Sequence, residues 1–142
     1  MEWTRSGDDL LVRIDPGEEI HTSLQKLADE LCFSAAAVTS GIGRTRDNVY
    51  GYMNNDGIYI KRNLQQPSEL VSLSGNIART QDGKAFTHIH CCWADDDSNV
   101  HAGHMFSCTV DVVAEIHVRL MLEAIMTRCP LADVQLLGLQ FS

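Results

Sequence analysis

Histidine is the residue in this sequence with most chemistry to offer, because a neutral imidazole binds transition metals and moves protons near pH 7. Six are present. Two of them stand in the run Phe86-Thr87-His88-Ile89-His90-Cys91-Cys92, whose alternation of apolar and polar residues reads as a strand. Alternate residues of a strand share a face, so His88, His90 and Cys92 look one way while Thr87, Ile89 and Cys91 look the other. The segment Val100-His101-Ala102-Gly103-His104-Met105 follows a short acidic loop, Asp95-Asp96-Asp97-Ser98-Asn99. So short a connection predicts a neighbouring strand, and Gly103 permits close backbone approach beside His104.

Three neutral imidazoles on two adjacent strands suit a divalent transition ion, zinc most simply, with a fourth position open to water. Glu115 and His117 share one face of a later segment and could supply a further ligand or a contact behind the ligands. Were the site catalytic, Glu115 is the candidate acid–base group. Cys92, one pleat beyond His90, is expected to fall past the ion. His21 and His101 are expected to be exposed. The competing reading is that His88, His90 and His104 are packed polar groups satisfied by hydrogen bonds, and the spacing leaves it open.

No other constellation carries chemistry. There is no G-x-S-x-G elbow, and Ser72 and Ser74 fit the solvent face of a strand. Gly41-Ile42-Gly43 lacks the third glycine of a dinucleotide fingerprint. The five cysteines are odd in number and form no C-x-x-C pair, so reduced, partly buried thiols are expected.

The elements that must position the histidines are mostly strands. Leu10 to Ile14 reads as a first strand. Asp15-Pro16-Gly17-Glu18 then offers a cap, a proline at the first helical position and a glutamate three residues on. Ile20, Leu24, Leu27, Ala28 and Leu31 draw one apolar stripe, which predicts a helix over about residues 17–31. Beyond it the pattern predicts strands over 35–42, 49–53, 58–62, 69–79, 85–94 and 100–113, the second and third joined through Asn54-Asn55-Asp56-Gly57. Ile116, Val118, Leu120 and Leu122 alternate at period two, which makes 115–123 a strand in spite of its helix-forming residues. A brief helical turn is expected over 124–127 and a final strand over 134–141. The sum is an α/β, or α+β-like, single domain: one principal helix on a mostly antiparallel mixed sheet.

At 142 residues the chain has room for one core. No stretch approaches the roughly 18 apolar residues that cross a bilayer, and the first residues lack the layout of a signal peptide, so a cytoplasmic protein with no membrane partner is expected. Nineteen acidic residues against eleven Lys and Arg give a net charge of −8, which repels nucleic-acid phosphates on average. Arg44, Arg46, Lys61 and Arg62 are the nearest approach to a basic patch.

In order along the chain come Ser40-Gly41-Ile42-Gly43, then the strand Glu69-Leu70-Val71-Ser72-Leu73-Ser74-Gly75-Asn76-Ile77. Phe86-Thr87-His88-Ile89-His90, Ala102-Gly103-His104-Met105 and Ala114-Glu115-Ile116 follow. In this order and spacing the chain resembles the plants-and-prokaryotes-conserved (PPC) domain family from about Arg5 to Phe141. It departs mildly, with Ala85 for a common proline, Ala102 for glycine and Met105 for leucine. The resemblance implies an α/β fold, a homotrimer and, as in some prokaryotic members, a metal held by His88, His90 and His104. It also implies an association with DNA, although the Arg-Gly-Arg-Pro hook of plant members does not occur in this sequence. Two functions remain: a trimeric DNA-associated or regulatory binding module, and a metal-dependent enzyme acting on a small metabolite.

Overall fold

A computed structural model describes residues 1–131 and 134–141. The strands are β1 (Glu2–Ser6), β2 (Asp9–Ile14), β3 (Ala36–Met53), β4 (Tyr59–Leu64), β5 (Ser68–Thr80), β6 (Ala85–Ala94), β7 (Val100–Leu120), β8 (Ala124–Leu131) and β9 (Val134–Phe141), with one helix, α1 (Ile20–Glu30), between β2 and β3. All nine strands belong to one mixed sheet. Every pairing is antiparallel except that of β5 with β8. The expected architecture is therefore the observed one.

The sheet is bent into a near-barrel. β3 pairs with β5 and β7, and β6 pairs with the same two strands, so the four close a ring of hydrogen bonds. Two strands are long enough to do this because bulges re-aim them: the register of β3 against β7 slips at Val38/Ser40, Arg44/Thr45 and Arg46/Val49. The sequence reads as separate strands at 35–42 and 49–53, and again at 100–113 and 115–123. Each pair is one continuous strand, the second ending at Leu120. Bulges break the alternation of side chains without ending the ladder, and that misleads a reading by periodicity.

Helix α1 lays Ile20, Leu24, Leu27 and Ala28, all wholly buried, against β5, β6 and β7. It starts at Glu19, not at Asp15. The Glu19 carboxylate accepts from the Thr22 backbone N–H at 2.7 Å, while Asp15 to Glu18 form a separate turn with Gly17 at φ +84°. On the sheet side the core is Leu10, Ile14, Leu73, Ile77, Ile89, Trp93 and Ile116. Trp93 is fully buried, and its indole N–H donates to Thr45 Oγ1 at 3.0 Å.

The helical turn expected over 124–127 is overturned: these residues begin β8. Arg79 and Thr80 at the end of β5 pair with Thr127 and Arg128, and β9 pairs along the other side. Met126 packs against Ala35 and Ala78, which gives this edge a small core of its own. Ladder bonds to two neighbours outweigh a local preference of a few tenths of a kcal/mol. β1 had no counterpart in the sequence reading, because Glu-Trp-Thr-Arg-Ser carries one apolar side chain and forms only against β2.

Candidate metal centre

β5, β6 and β7 lie side by side where the histidines meet. Asn76 is opposite His88, Ser74 opposite His90, and His90 opposite His104. The odd positions Thr87, Ile89, Cys91 and Trp93 fill the core, and the even positions His88, His90 and Cys92 face the other way. Two glycines let strands close up here, Gly75 between β5 and β6 and Gly103 between β7 and β3. A Cβ on Gly75 would run into the His88 carbonyl, and one on Gly103 would meet the Gly51 carbonyl oxygen at 2.5 Å.

The three rings form an almost equilateral triangle, with centroids 5.2 Å (His88 to His90), 5.0 Å (His88 to His104) and 5.3 Å (His90 to His104) apart. Their ligating nitrogens all lie within 4.8 Å of one another. The Nε2 atoms of His88 and His90 are 3.3 Å apart. With zinc–nitrogen bonds of about 2.0–2.1 Å in a tetrahedral shell, neighbouring ligand atoms stand roughly 3.3 Å apart. The His88–His90 pair stands at that spacing, and the donor set as a whole could hold a tetrahedral divalent ion.

Electrostatics prepares the same state. Burial, and then the positive charges that would sit on His88 and His90, push the pKa of His104 down to about 4. Burial, followed by Arg128, also lowers that of His88. Both rings are neutral at pH 7, the form that ligates. Nδ1 of His104 is buried without a hydrogen-bond partner. Such an orphan is costly unless something outside the chain satisfies its ring.

The other three histidines behave differently. His21 and His101 were expected to be exposed and are not. His21 donates from Nε2 to the Met105 carbonyl at 3.1 Å and accepts from the Thr87 hydroxyl at 2.6 Å. His101 donates from Nε2 to Asp95 at 2.9 Å and accepts from the Tyr50 hydroxyl at 3.0 Å. His117 donates to Asp9 at 3.1 Å and accepts from Thr39. The structure does not bring Glu115 to the metal-type cluster. It lies in the far half of β7, opposite Arg13 and Ile42, and with His117 it lines a different concavity. Cys92 stays outside the ligating group, as expected.

Several neighbours of the cluster were not picked out from sequence. Phe106 and Tyr59 pack on His104 with centroids at 4.7 and 5.1 Å, and the Lys61 ammonium lies 4.2 Å from the centre of the Phe106 ring. On the other side Arg128, only 3% exposed, bonds to Asn76 and lies over Phe86. Phe106 had a signal, being two residues from His104 on the same strand face. Lys61 and Arg128 arrive through strand pairings that periodicity does not encode.

Of the basic patch, Arg44 is paired with Glu69 at 3.0 Å and with Asp111 at 3.6 Å, and Arg46 with Asp47 and Asp111. The cysteines are free, with Cys91 and Cys108 buried, and burial raises the Cys108 thiol pKa to about 12. No helix among the described residues is long and apolar enough to cross a membrane.

Comparison with known proteins sets this geometry in context. The family model of the Plants and Prokaryotes Conserved (PCC) domain matches residues 1–121. A metal-containing protein of Archaeoglobus fulgidus is 31% identical, with 98% of this chain and 96% of that one covered at a TM-score of 0.80. A plant- and prokaryote-conserved (PPC) protein of Pyrococcus horikoshii is 26% identical over 96% of this chain and 93% of its own, with a TM-score of 0.82. A protein of Bacteroides thetaiotaomicron, named as a candidate DNA-binding protein, shares the fold at a TM-score of 0.86 and 22% identity, over 99% of this chain and 96% of that one. A search of curated proteins gives no match.

Proposed function

The chain belongs to the Plants and Prokaryotes Conserved domain family, and from that premise we propose that it is a trimeric regulatory binding module built around a metal. His88, His90 and His104 are its ligands, and a divalent transition ion, zinc first, is its cofactor. One observation carries the reading: these three rings, alone of the six, have no hydrogen-bond partner among the described residues except one another. Three neutral imidazoles at ligand spacing with nothing else to bind are what a metal requires. The Archaeoglobus relative, named as metal-containing, supports the same reading. Protein purified without chelator should carry close to one ion per chain by elemental analysis, and His88→Ala should carry none. Equal absence of metal from both proteins would remove the reading.

The trimer is supported by an uncovered apolar patch. Ile42, Val71 and Val112 are each more than half exposed and border one shallow depression across β3, β5 and β7. Light scattering should return three times 15.8 kDa. DNA association, in this reading, runs through partner proteins, since the chain is acidic and Arg44 and Arg46 are already paired with carboxylates. Salt-sensitive retention of duplex DNA by the pure protein would replace that with direct contact.

The open ligand position favours one second reading, a metal-dependent enzyme acting on a small metabolite. Bound zinc would supply Lewis acidity or an activated water. Within one protomer Glu115 is too far along β7 to serve as its acid–base group, and no other carboxylate joins the cluster among the described residues. Thermal stabilisation by a metabolite, seen in wild type and lost in His88→Ala, would move the assignment to this reading.

A further inference from the structure

We propose that the histidine centre is an oxyanion receptor: its open position takes a carboxylate or phosphate group, with Lys61 and Arg128 as flanking countercharges. The inference rests on the metal reading and goes beyond it by naming the chemical class of the ligand.

The argument is one of charge balance. A metal site built from aspartate or cysteine neutralises its own ion, whereas three neutral imidazoles leave both positive charges standing. The protein adds to them. Lys61 lies over Phe106, a ring that itself packs on His104. Arg128 bonds to Asn76, the residue directly opposite His88, and its Nε is buried without a partner. Neither cation has an ion pair among the described residues, in a chain with nineteen acidic side chains. Arg13, Arg44, Arg46, Arg79, Lys84 and Arg119 have one, and the other cations without one, Arg5, Lys26 and Arg62, do not adjoin the cluster in the strand pairings. Arg128 is buried, and a buried cation is costly without a countercharge; Lys61 is exposed and adds positive charge on the other side at no such cost.

The fold also leaves room for such a group. Across the sheet the row runs Ser74, His90, His104, Gly51, Lys61, one residue from each of β5, β6, β7, β3 and β4. Gly51, the one member without a side chain, separates His104 from Lys61. A Cβ there would strike the Ile60 carbonyl. Tyr59 and Phe106 wall the same side, so an anion bearing a flat or apolar body has a surface to lie on.

The test uses the full chain loaded with cobalt(II), whose visible spectrum reports ligation without any activity. Metal content is measured first. Inorganic phosphate and benzoate are then titrated, with benzamide as the uncharged analogue of benzoate. Saturable spectral change with either anion and none with benzamide is expected, with phosphate alone indicating a phosphate ligand and benzoate a carboxylate. Lys61→Gln should keep its cobalt and bind the anion about tenfold more weakly, and Lys61→Arg should restore most of the loss. Arg128→Gln is judged only if its circular dichroism matches wild type, and the Lys61 pair decides without it. If cobalt binds but no anion changes the spectrum, or benzamide acts as benzoate does, the receptor is refuted while the metal site stands. If cobalt does not bind, the metal reading itself has failed.

Discussion

β7 carries three histidines, and two of them, His104 toward its start and His117 toward its end, have opposite surroundings. His117 is closed on both ring nitrogens, one by Asp9 and the other by Thr39, and Asp9 is held in turn by Arg119 at 3.1 Å. His104, on the same strand, faces two other imidazoles and two aromatic rings and has no protein partner for its buried Nδ1. The first arrangement is complete as folded. The second leaves a buried ring nitrogen unmet, at a cost of about 1–3 kcal/mol. His21 and His101 side with His117, each having one oxygen to donate to and one hydroxyl to accept from.

The largest expected effect separates the two ends directly. At a thousandfold excess of zinc over its Kd, wild-type protein should gain about 4 kcal/mol of stability. His104→Ala should lose nearly all of that gain, and His117→Ala should keep it. Thermal unfolding with and without zinc checks both. An equal rise in Tm for the two variants would erase the distinction.

Next in size is the seam that brings the rings together. Gly103→Ala sets a methyl against the Gly51 carbonyl, across the seam between β7 and β3. Overpacking of this kind costs about 1–3 kcal/mol, and the strand must shift at the residue before His104. Denaturant unfolding should show the loss, and zinc affinity should fall with it. A variant of normal stability with unchanged zinc affinity would mean that the close approach does not set the ring positions.

How far this was legible in the sequence follows from what each feature depends on. The His88/His90 face is a matter of period two within one strand, and the loop Asp95–Asn99 is too short for its strands to be anything but neighbours, so the triad could be read before any fold was known. The helix was legible from its stripe, but not its start, because Pro16 and Gly17 imitate a first turn and instead lead into the Glu19 cap. Bulges in β3 hid its continuity, and pairing with β5 decided β8. Lys61 and Arg128 were out of reach for the same reason, since each meets the site through a strand distant in sequence. Nor could the sequence tell closed histidines from open ones: His101 looks no different from His104 until Tyr50 and Asp95 are seen on its two nitrogens.

His101→Ala sharpens the comparison from the other side. It leaves the Tyr50 hydroxyl, on a buried residue, without its partner at a cost of about 1–2 kcal/mol, while Asp95 keeps its bonds from Asp97 and Asn99. Zinc content should not change, although His101 is three residues from His104 and is the closer of the two to a carboxylate. Loss of metal in this variant would place His101 among the ligands and break the division into closed and open rings.

The smallest effect is a pH dependence that the Asp95–His101 contact adds in acid, below the window set by the buried histidines. Asp95 is held down to about 2, chiefly by its hydrogen bond from His101 and then by the Asn99 backbone. A carboxyl lowered on folding from an ordinary value near 3.8 contributes stability that is complete above that value and is lost as pH falls toward 2. His21, His88 and His104 are all lowered from 6.5, chiefly by burial, so protons favour the unfolded form, and stability declines once pH drops below 6.5. The two windows do not overlap at their upper ends, and chelator-treated protein removes metal release from both. Asp82 also lies near 2, held by Lys84, so only a difference between proteins isolates Asp95. Asp95→Asn should flatten the stability curve between pH 4 and 2 relative to wild type and leave the decline below 6.5 intact, as read by urea midpoints. A variant curve parallel to wild type through the acid window would show that the His101 contact contributes nothing there, and that a ring closed by a carboxylate is worth no more than one closed by a neutral oxygen.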